Sequence, residues 1–302
     1  MTLVRLSPDH RQGVLGANLL CMASMFIWAA GLPAADVLIP LLPPLALAAA
    51  RMALAAAVLL PIWLILDPRE ALQANWPMGI AVGGLLGVGA ALLVVGQGMT
   101  SAVTVAIIST TMPIVAALIE AVLDRRRPSG ALLAGIALSL AGGYVALDPA
   151  AGGPDFGLGA LIMLASVITY ALASRLTVSA FPVLSPLGRT TITLTTAALV
   201  TALAALLFGA ERADWTRLDA HAWGALALFA VGGLALSQLL WIRALGRLGL
   251  AQSSLHLNAT PFYVMLILFA LGGGWAWREA AGAALVGAGV LVAQNILTFR
   301  KT

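Results

Sequence analysis

Residues 252–263 read QSSLHLNATPFY, inside an apolar run that extends from 251 to 271. A Gln, two Ser, a His, an Asn, a Thr and a Pro in such a run raise the question of what solvates them. In hydrocarbon each unpaired polar group costs several kcal/mol, so this face looks onto a cavity or onto other helices rather than onto lipid. Residues four apart share a helix face. Gln252, His256 and Thr260 therefore form one stripe with Tyr263 three residues further on, and Ser254 and Asn258 form an adjacent one. Two readings stay open: a cavity lining, or interhelical hydrogen bonding, which averages only ~0.6 kcal/mol per pair in membranes. Pro261 cannot donate to the carbonyl of Leu257 and breaks the helical ladder there.

The rest of the chain explains why such a stretch exists. Of 302 residues, 61% are hydrophobic and only 9% charged, and the mean hydropathy is +1.02. Soluble domains carry roughly 25% charged residues, so so few charges cannot cover a water-facing surface of this size. The solvent for most side chains is lipid. Apolar segments fall at about 13–31, 45–66, 76–97, 101–121, 129–147, 157–178, 187–208, 221–242, 251–271 and 279–298. At 1.5 Å per residue each is long enough for a ~30 Å hydrocarbon layer, so ten transmembrane helices are expected, with no room for a soluble domain. The first run is read as a true helix rather than a signal peptide: Asn18 interrupts it, Trp28 follows, and no small-x-small cleavage site is evident. Cys21, the single cysteine, is read as a packing residue.

An even number of spans puts both termini on one side. With that side cytoplasmic, Arg5, Arg11, Arg69, Arg125, Arg126, Arg127, Arg175, Arg189, Arg243, Arg247, Arg300 and Lys301 fall inside and only Arg212, Arg217 and Arg278 outside. That asymmetry follows the positive-inside rule. Arg51 is left in the second helix, where it is expected to snorkel outward. The basic residues are scattered at the ends of apolar runs, so the net charge of +4 indicates orientation and not nucleic acid. Asp36, Asp148 and Asp155 fall in outer loops.

The chain also repeats itself. ASMFIWA (23–29) resembles ASVITYA (165–171), matching Ser24 with Ser166 and Trp28 with Tyr170. Pro44 answers Pro186. At a constant offset further on, Gly84 pairs with Gly232, Thr104 with Gln252, Thr110 with Asn258 and Pro113 with Pro261. Gly135, Leu138 and Gly142 then pair with Gly282, Leu285 and Gly289. The order of these matches divides the chain into a first repeat at 1–150 and a second at 151–302. Five helices per repeat is an odd number, so the halves insert with opposite orientation. Inverted repeats of this kind carry a substrate site near the bilayer midplane and alternate its access.

The motifs TTMPIVAALIEAVLDRRRPS (110–129) with GIALSLAGG (135–143), and NATPFYVMLILF (258–269) with REAAGAALVGAGVLV (278–292), resemble the drug/metabolite transporter superfamily. More narrowly the chain resembles its EamA-type branch and, within that, the YddG-like amino-acid exporters. Glu279 keeps the acid that opens the fifth helix of a repeat in this family, while Arg127-Pro128 departs from the pattern in the first half. The resemblance implies an all-α polytopic membrane protein, a basket of ten helices around a central cavity. It also implies export of amino acids or similar metabolites from the cytoplasm across a bacterial inner membrane.

The candidate substrate-facing residues are Ser24 and Trp28 on the first helix, Thr110 and Thr111 on the fourth, and Ser166 and Tyr170 on the sixth. Gln238 on the eighth and Gln252, His256, Asn258, Thr260 and Tyr263 on the ninth complete the set, with Pro113 and Pro261 as hinges. A hydroxyl one turn from an aromatic can hold a zwitterion's polar end and stack its side chain; the aromatic can equally be packing. His256 can couple a proton or act as a neutral hydrogen-bonding residue. No second His, Cys or acid is spaced to make it a metal ligand, and no cofactor is expected. Glu120 and Asp124 are read as anchors paired with Arg125–Arg127. The Thr-rich seventh helix (Thr190, Thr191, Thr193, Thr195, Thr196) is read as packing, and Gly79, Gly83 and Gly87 as a ridge for close helix approach. There is no phosphate-binding loop ending in Lys-Ser/Thr, no HExxH and no pair of intramembrane aspartates. These observations favour a monomeric secondary transporter of neutral or aromatic amino acids by alternating access, partnered by a small-molecule substrate and the lipid bilayer. A drug or other metabolite exporter of the same fold is the alternative, with a channel behind it.

Overall fold

A computed structural model describes residues 8–100, 102–146, 157–209 and 212–294. The predicted positions Arg5, Asp148, Asp155, Arg300 and Lys301 lie outside these residues, as does the side chain of Arg11. Every extended regular element among the described residues is helical. In order they are α1 (Pro8–Leu38), α2 (Pro44–Leu66), the short α3 (Pro68–Gln73), α4 (Trp76–Gln97), α5 (Ala102–Thr110), α6 (Met112–Leu123), α7 (Gly130–Ala146), α8 (Leu158–Ser179) and α9 (Pro186–Phe208). There follow α10 (Ala220–Ala227), α11 (Ser237–Leu248), α12 (Leu250–Ser254), α13 (Thr260–Ala270) and α14 (Trp277–Ala293). Their starts follow from sequence: proline opens α2, α3 and α9, and the side chains of Asn75, Ser185 and Asp219 cap α4, α9 and α10.

Eight helical stretches among the described residues are long and apolar enough to cross a membrane, with α5–α6, α10–α11 and α12–α13 each counting as one stretch. The two remaining runs expected to span, α7 and α14, have 17 helical residues each, about 25 Å at 1.5 Å per residue.

Close approaches between helices are made at glycines and small residues. A Cβ on Gly135 would sit 2.5 Å from the Gly289 carbonyl oxygen, and one on Gly289 would sit 2.7 Å from that of Gly135. Gly142 and Gly282 stand in the same reciprocal relation at 2.5 and 2.6 Å. α7 and α14 thus cross backbone to backbone, which only glycine permits. The ridge of Gly79, Gly83 and Gly87 on α4 is occupied by α9, where Thr196 donates to the Gly79 carbonyl at 2.8 Å. The remaining hydroxyl bonds of Thr190, Thr193 and Thr196 return to carbonyls of their own helix.

Carboxylates tie one end of the bundle together. Glu70 accepts from Trp63 Nε1 (2.7 Å), from the Ser185 hydroxyl (2.9 Å) and from the Ser185 amide. Glu120 accepts from the amides of Leu250 and Ala251, capping α12 from another helix. Asp124 pairs with Arg175 of α8 and not with the neighbouring Arg125–Arg127. The Arg175 guanidinium holds the Asp124 carboxyl below the ordinary carboxylate range. The expected pairing of both acids with the adjacent arginine run is therefore replaced by two helix-to-helix ties, with the chain leaving α6 through a left-handed turn at Arg125 (φ 52°).

Arg51 does not snorkel. Between α10 and α11 the chain winds as a π-helix over Leu228–Leu236. The Arg51 guanidinium donates to the carbonyls of Phe229 (3.2 Å) and Gly233 (3.0 Å) and lies 3.9 Å over the Phe229 ring. Wider winding frees carbonyls from the regular ladder, and the arginine fork matches two of them at once.

Candidate functional site

The polar stretch 252–263 does not form one continuous α-helix. α12 ends at Ser254, residues Leu255–Ala259 wind as a 3-10 helix, and α13 starts at Thr260. In a 3-10 helix successive residues turn by about 120° instead of 100°, so His256 and Thr260 lie about 120° apart rather than on one face. The stripe predicted from fourfold spacing is split accordingly. Gln252, His256 and Tyr263 line one space and Asn258, Thr260 and Pro261 line another.

The first space is a cleft of about 810 Å³ between α1, the 250–270 stretch and α14. Its polar groups are Gln252, His256 and an amide pair in which Asn18 and Gln294 donate to each other at 2.8 and 2.7 Å. His256 Nδ1 lies 3.3 Å from the Ser253 carbonyl, a contact that requires the proton on Nδ1. Leu15 and Leu19 on its wall are more than half exposed, so the cleft opens sideways to the hydrocarbon.

The second space, about 940 Å³, is walled by α1, α5, α7, α13 and the turn between α13 and α14. Of the candidate residues Trp28, Thr110, Asn258 and Thr260 border it, together with Pro261, expected as a hinge, and with Ser109 and Glu279. The broken geometry of both proline-bearing stretches builds this cavity. α5 ends at Thr110, α6 begins with Pro113 in its first turn, and α13 begins with Pro261 in its first turn. Proline is favoured there because that position has no helical acceptor for an amide. The Leu257 carbonyl, expected to be bare, accepts from the Thr260 hydroxyl at 2.6 Å and from the Thr260 amide. Thr111 turns its hydroxyl back to the Ile108 carbonyl at 2.6 Å and borders neither space. Asn258 donates to the Ser139 hydroxyl (2.9 Å) and to the Thr110 carbonyl (3.3 Å), joining the two broken stretches.

Other predicted residues are placed away from both spaces. Ser24 is buried and donates to the Ser237 carbonyl at 2.7 Å, while Ser166 donates to the Gly89 carbonyl at 2.8 Å. Tyr170 donates to Gln238 Oε1 at 3.2 Å, and both lie between α8 and α11. No group of three or more His, Cys, Asp or Glu that could hold a metal ion is present among the described residues.

Sequence reasoning assigned no role at either space to Ser109, Gln294 or Glu279, and treated Asn18 only as an interruption. The amide pair carries no local sequence signal, since its members are 276 positions apart. Glu279 was legible only as a family feature.

Residues 15–147 match the model of the EamA-like transporter family. The uncharacterized transporter YyaM of Bacillus subtilis (strain 168) is 28% identical over 266 residues, which cover 85% of this chain and 87% of that protein. A solved crystal structure superposes with a TM-score of 0.76, covering 93% of this chain and 96% of the other. At 24% identity that likeness is one of fold. Residues 15–147 thus carry an EamA-like domain, and the likeness to a transporter runs along most of the chain, whose eight long apolar helices among the described residues fit a multi-pass membrane protein.

Proposed function

We propose that the chain is a secondary transporter that exports neutral and aromatic amino acids, or similar small amphipathic metabolites, by alternating access across a bacterial inner membrane. It works as a monomer of two inverted five-helix repeats, ten helices in all, with both termini in the cytoplasm. The observation that carries this reading is that two spaces approach one broken stretch from opposite ends. The cavity is bordered by Leu271–Gly274 beyond the end of α13, whereas the cleft is bordered by Val14 and Gln294, where α1 begins and α14 ends. The two spaces flank the same stretch of chain, which presents His256, Ala259 and Tyr263 to one and Leu257, Asn258 and Thr260 to the other.

Reciprocal contacts support the repeat. Ser24 reaches the carbonyl of Ser237 while its counterpart Ser166 reaches that of Gly89, and Gly89 stands to Ser237 at the same offset as Thr110 to Asn258. Thr110 and Asn258 touch each other, as residues beside a pseudo-two-fold axis would. The ties from Glu70, Glu120 and Asp124 gather at one end the loops that carry most of the arginines, which supports the orientation.

The test is uptake of an amino-acid panel by the purified protein in liposomes, with and without a pH gradient. Saturable flux of neutral or aromatic amino acids is expected, reduced by Asn258→Ala. Saturable flux confined to non-amino-acid drugs or metabolites would transfer the reading to the alternative exporter, and continuous non-saturating current would make it a channel.

A further inference from the structure

The polar side chains bordering the 940 Å³ cavity are Trp28, Ser109, Thr110, Asn258, Thr260 and Glu279. The hydroxyl protons of Ser109, Thr110 and Thr260 are committed to the carbonyls of Val105, Ile107 and Leu257 at 2.7, 2.7 and 2.6 Å. The Asn258 amide donates to Thr110 and Ser139, which leaves its carbonyl oxygen to the cavity. Hydroxyls and amides so engaged offer acceptor lone pairs only. The amides of Gly272 and Gly273, in the turn that closes the cavity, are likewise bound to the carbonyls of Phe269 and Leu268. Glu279 adds a carboxylate, which accepts and never donates when ionised, and its Oε2 is buried without a hydrogen-bond partner. Among the described residues no basic side chain pairs with it as a salt bridge, and Arg278 directs its guanidinium to the Val145 carbonyl at 3.4 Å. The lining is thus an apolar chamber whose polar side chains, Trp28 apart, present acceptors, among them one carboxylate whose Oε2 has no hydrogen-bond donor.

A buried acceptor left without a donor costs free energy that a ligand's donor restores. From this complementarity we infer that the cavity binds a primary ammonium group, held by the Glu279 carboxylate, with the apolar part of the ligand on Trp28, Val264 and Met265. The ligand class is an amphipathic amine, amino acids included. The inference rests on the cavity being part of the substrate path and deepens the proposed function by naming the group that is recognised. The face of the Trp28 indole suits the same charge. An anion lacking an ammonium would meet the Glu279 carboxylate as a like charge and would find no donor in the Ser109, Thr110, Asn258 and Thr260 side chains.

The experiment uses the purified protein and two probes that share one ring: radiolabelled tryptamine, which has the ammonium, and indole-3-propionate, which does not. Saturable tryptamine binding is expected, with indole-3-propionate weaker. Glu279→Gln is expected to weaken tryptamine about ten- to a hundredfold, the worth of one charge-assisted hydrogen bond, and Glu279→Asp to recover part of it. As a measurement that needs no variant, carbodiimide labelling of Glu279, read by mass spectrometry, should be slowed by tryptamine and not by indole-3-propionate. Tryptamine binding that is absent, or equal in wild type and Glu279→Gln, overturns the inference, as does equal protection by both probes. Glu279-dependent tryptamine binding without amino-acid flux in liposomes would instead leave this inference standing and remove the amino-acid reading.

Discussion

Replacing Gly289 by Ala tests the α7–α14 crossing. The added methyl would stand 2.7 Å from the Gly135 carbonyl oxygen and 3.1 Å from the Ser139 amide nitrogen. A relaxed carbon–oxygen contact needs about 3.3 Å, so the helices must part locally by about 0.6 Å, since both neighbouring atoms belong to the α7 backbone. Overpacking of this size costs about 1–3 kcal/mol, against which alanine returns up to about 1 kcal/mol of helix propensity. Gly287, on the same helix, is the internal control: a Cβ there meets nothing within 4 Å. Gly287→Ala should show the propensity gain alone, so the two variants should differ by about 1–3 kcal/mol although the chemical change is identical. Because either methyl forces the helices apart at the same crossing, each against the other glycine's carbonyl, one separation serves both and the double variant Gly135→Ala/Gly289→Ala should cost less than the sum of its parts. Equilibrium unfolding in detergent micelles, followed by tryptophan fluorescence, reads the wild type, the three single variants and the double variant. Equal stability of Gly289→Ala and Gly287→Ala would refute the crossing.

Three further outcomes are expected. Glu120→Ala removes the cap of α12 and should lower stability by about 1–2 kcal/mol, with Gly249→Ala also destabilising because its φ of 81° is left-handed and its Cβ would sit 2.8 Å from Glu120 Oε1; thermal unfolding at unchanged stability would contradict both. The Asp124 carboxyl is depressed in the fold by Arg175, so its contribution is present above the ordinary value of about 3.9 and is lost as pH falls through the lower folded value; Asp124→Asn should flatten the acid limb of a stability–pH curve, and an unaltered limb would remove the pair from the account. Arg51→Lys keeps the charge but cannot bridge the Phe229 and Gly233 carbonyls as a fork; losing one such bond should cost about 1.5–3 kcal/mol, and wild-type stability would show that the guanidinium does not hold the π-helix.

Membrane character and eight of the ten expected spans were legible because apolar run length follows from bilayer thickness, a constraint that acts on every residue of a span. The position of the cavity was legible in part, since Thr110/Asn258 and Pro113/Pro261 mark the two broken stretches that build it. The face assignment within 252–263 was not legible: it assumed α-helical winding, and five residues of tighter winding suffice to carry Thr260 away from His256. Arg51 was misplaced for a related reason. Its acceptors are carbonyls released by a π-helix, and Leu228–Leu236 reads as an ordinary apolar helix. Ser24 and Ser166 were chosen by type, but a hydroxyl's partner depends on which carbonyl a neighbouring helix presents, here Ser237 and Gly89. Glu279 was seen as a family mark because the turn that folds it over the cavity, Leu271–Gly274, has no partner in the local pattern.

The tighter winding of Leu255–Ala259 has a mechanical consequence. A 3-10 residue rises about 2.0 Å against 1.5 Å in an α-helix and turns about 20° further. Over five residues the stretch is about 2.5 Å longer, and its far half is turned about 100° further, than an unbroken α-helix would be. The rod is a screw of two pitches. Its Leu250 end is pinned by Glu120, so any exchange between pitches is delivered to the Ala270 end as rotation and translation together. The groups it swings are Thr260, Pro261 and Tyr263, the ones that stand between cavity and cleft.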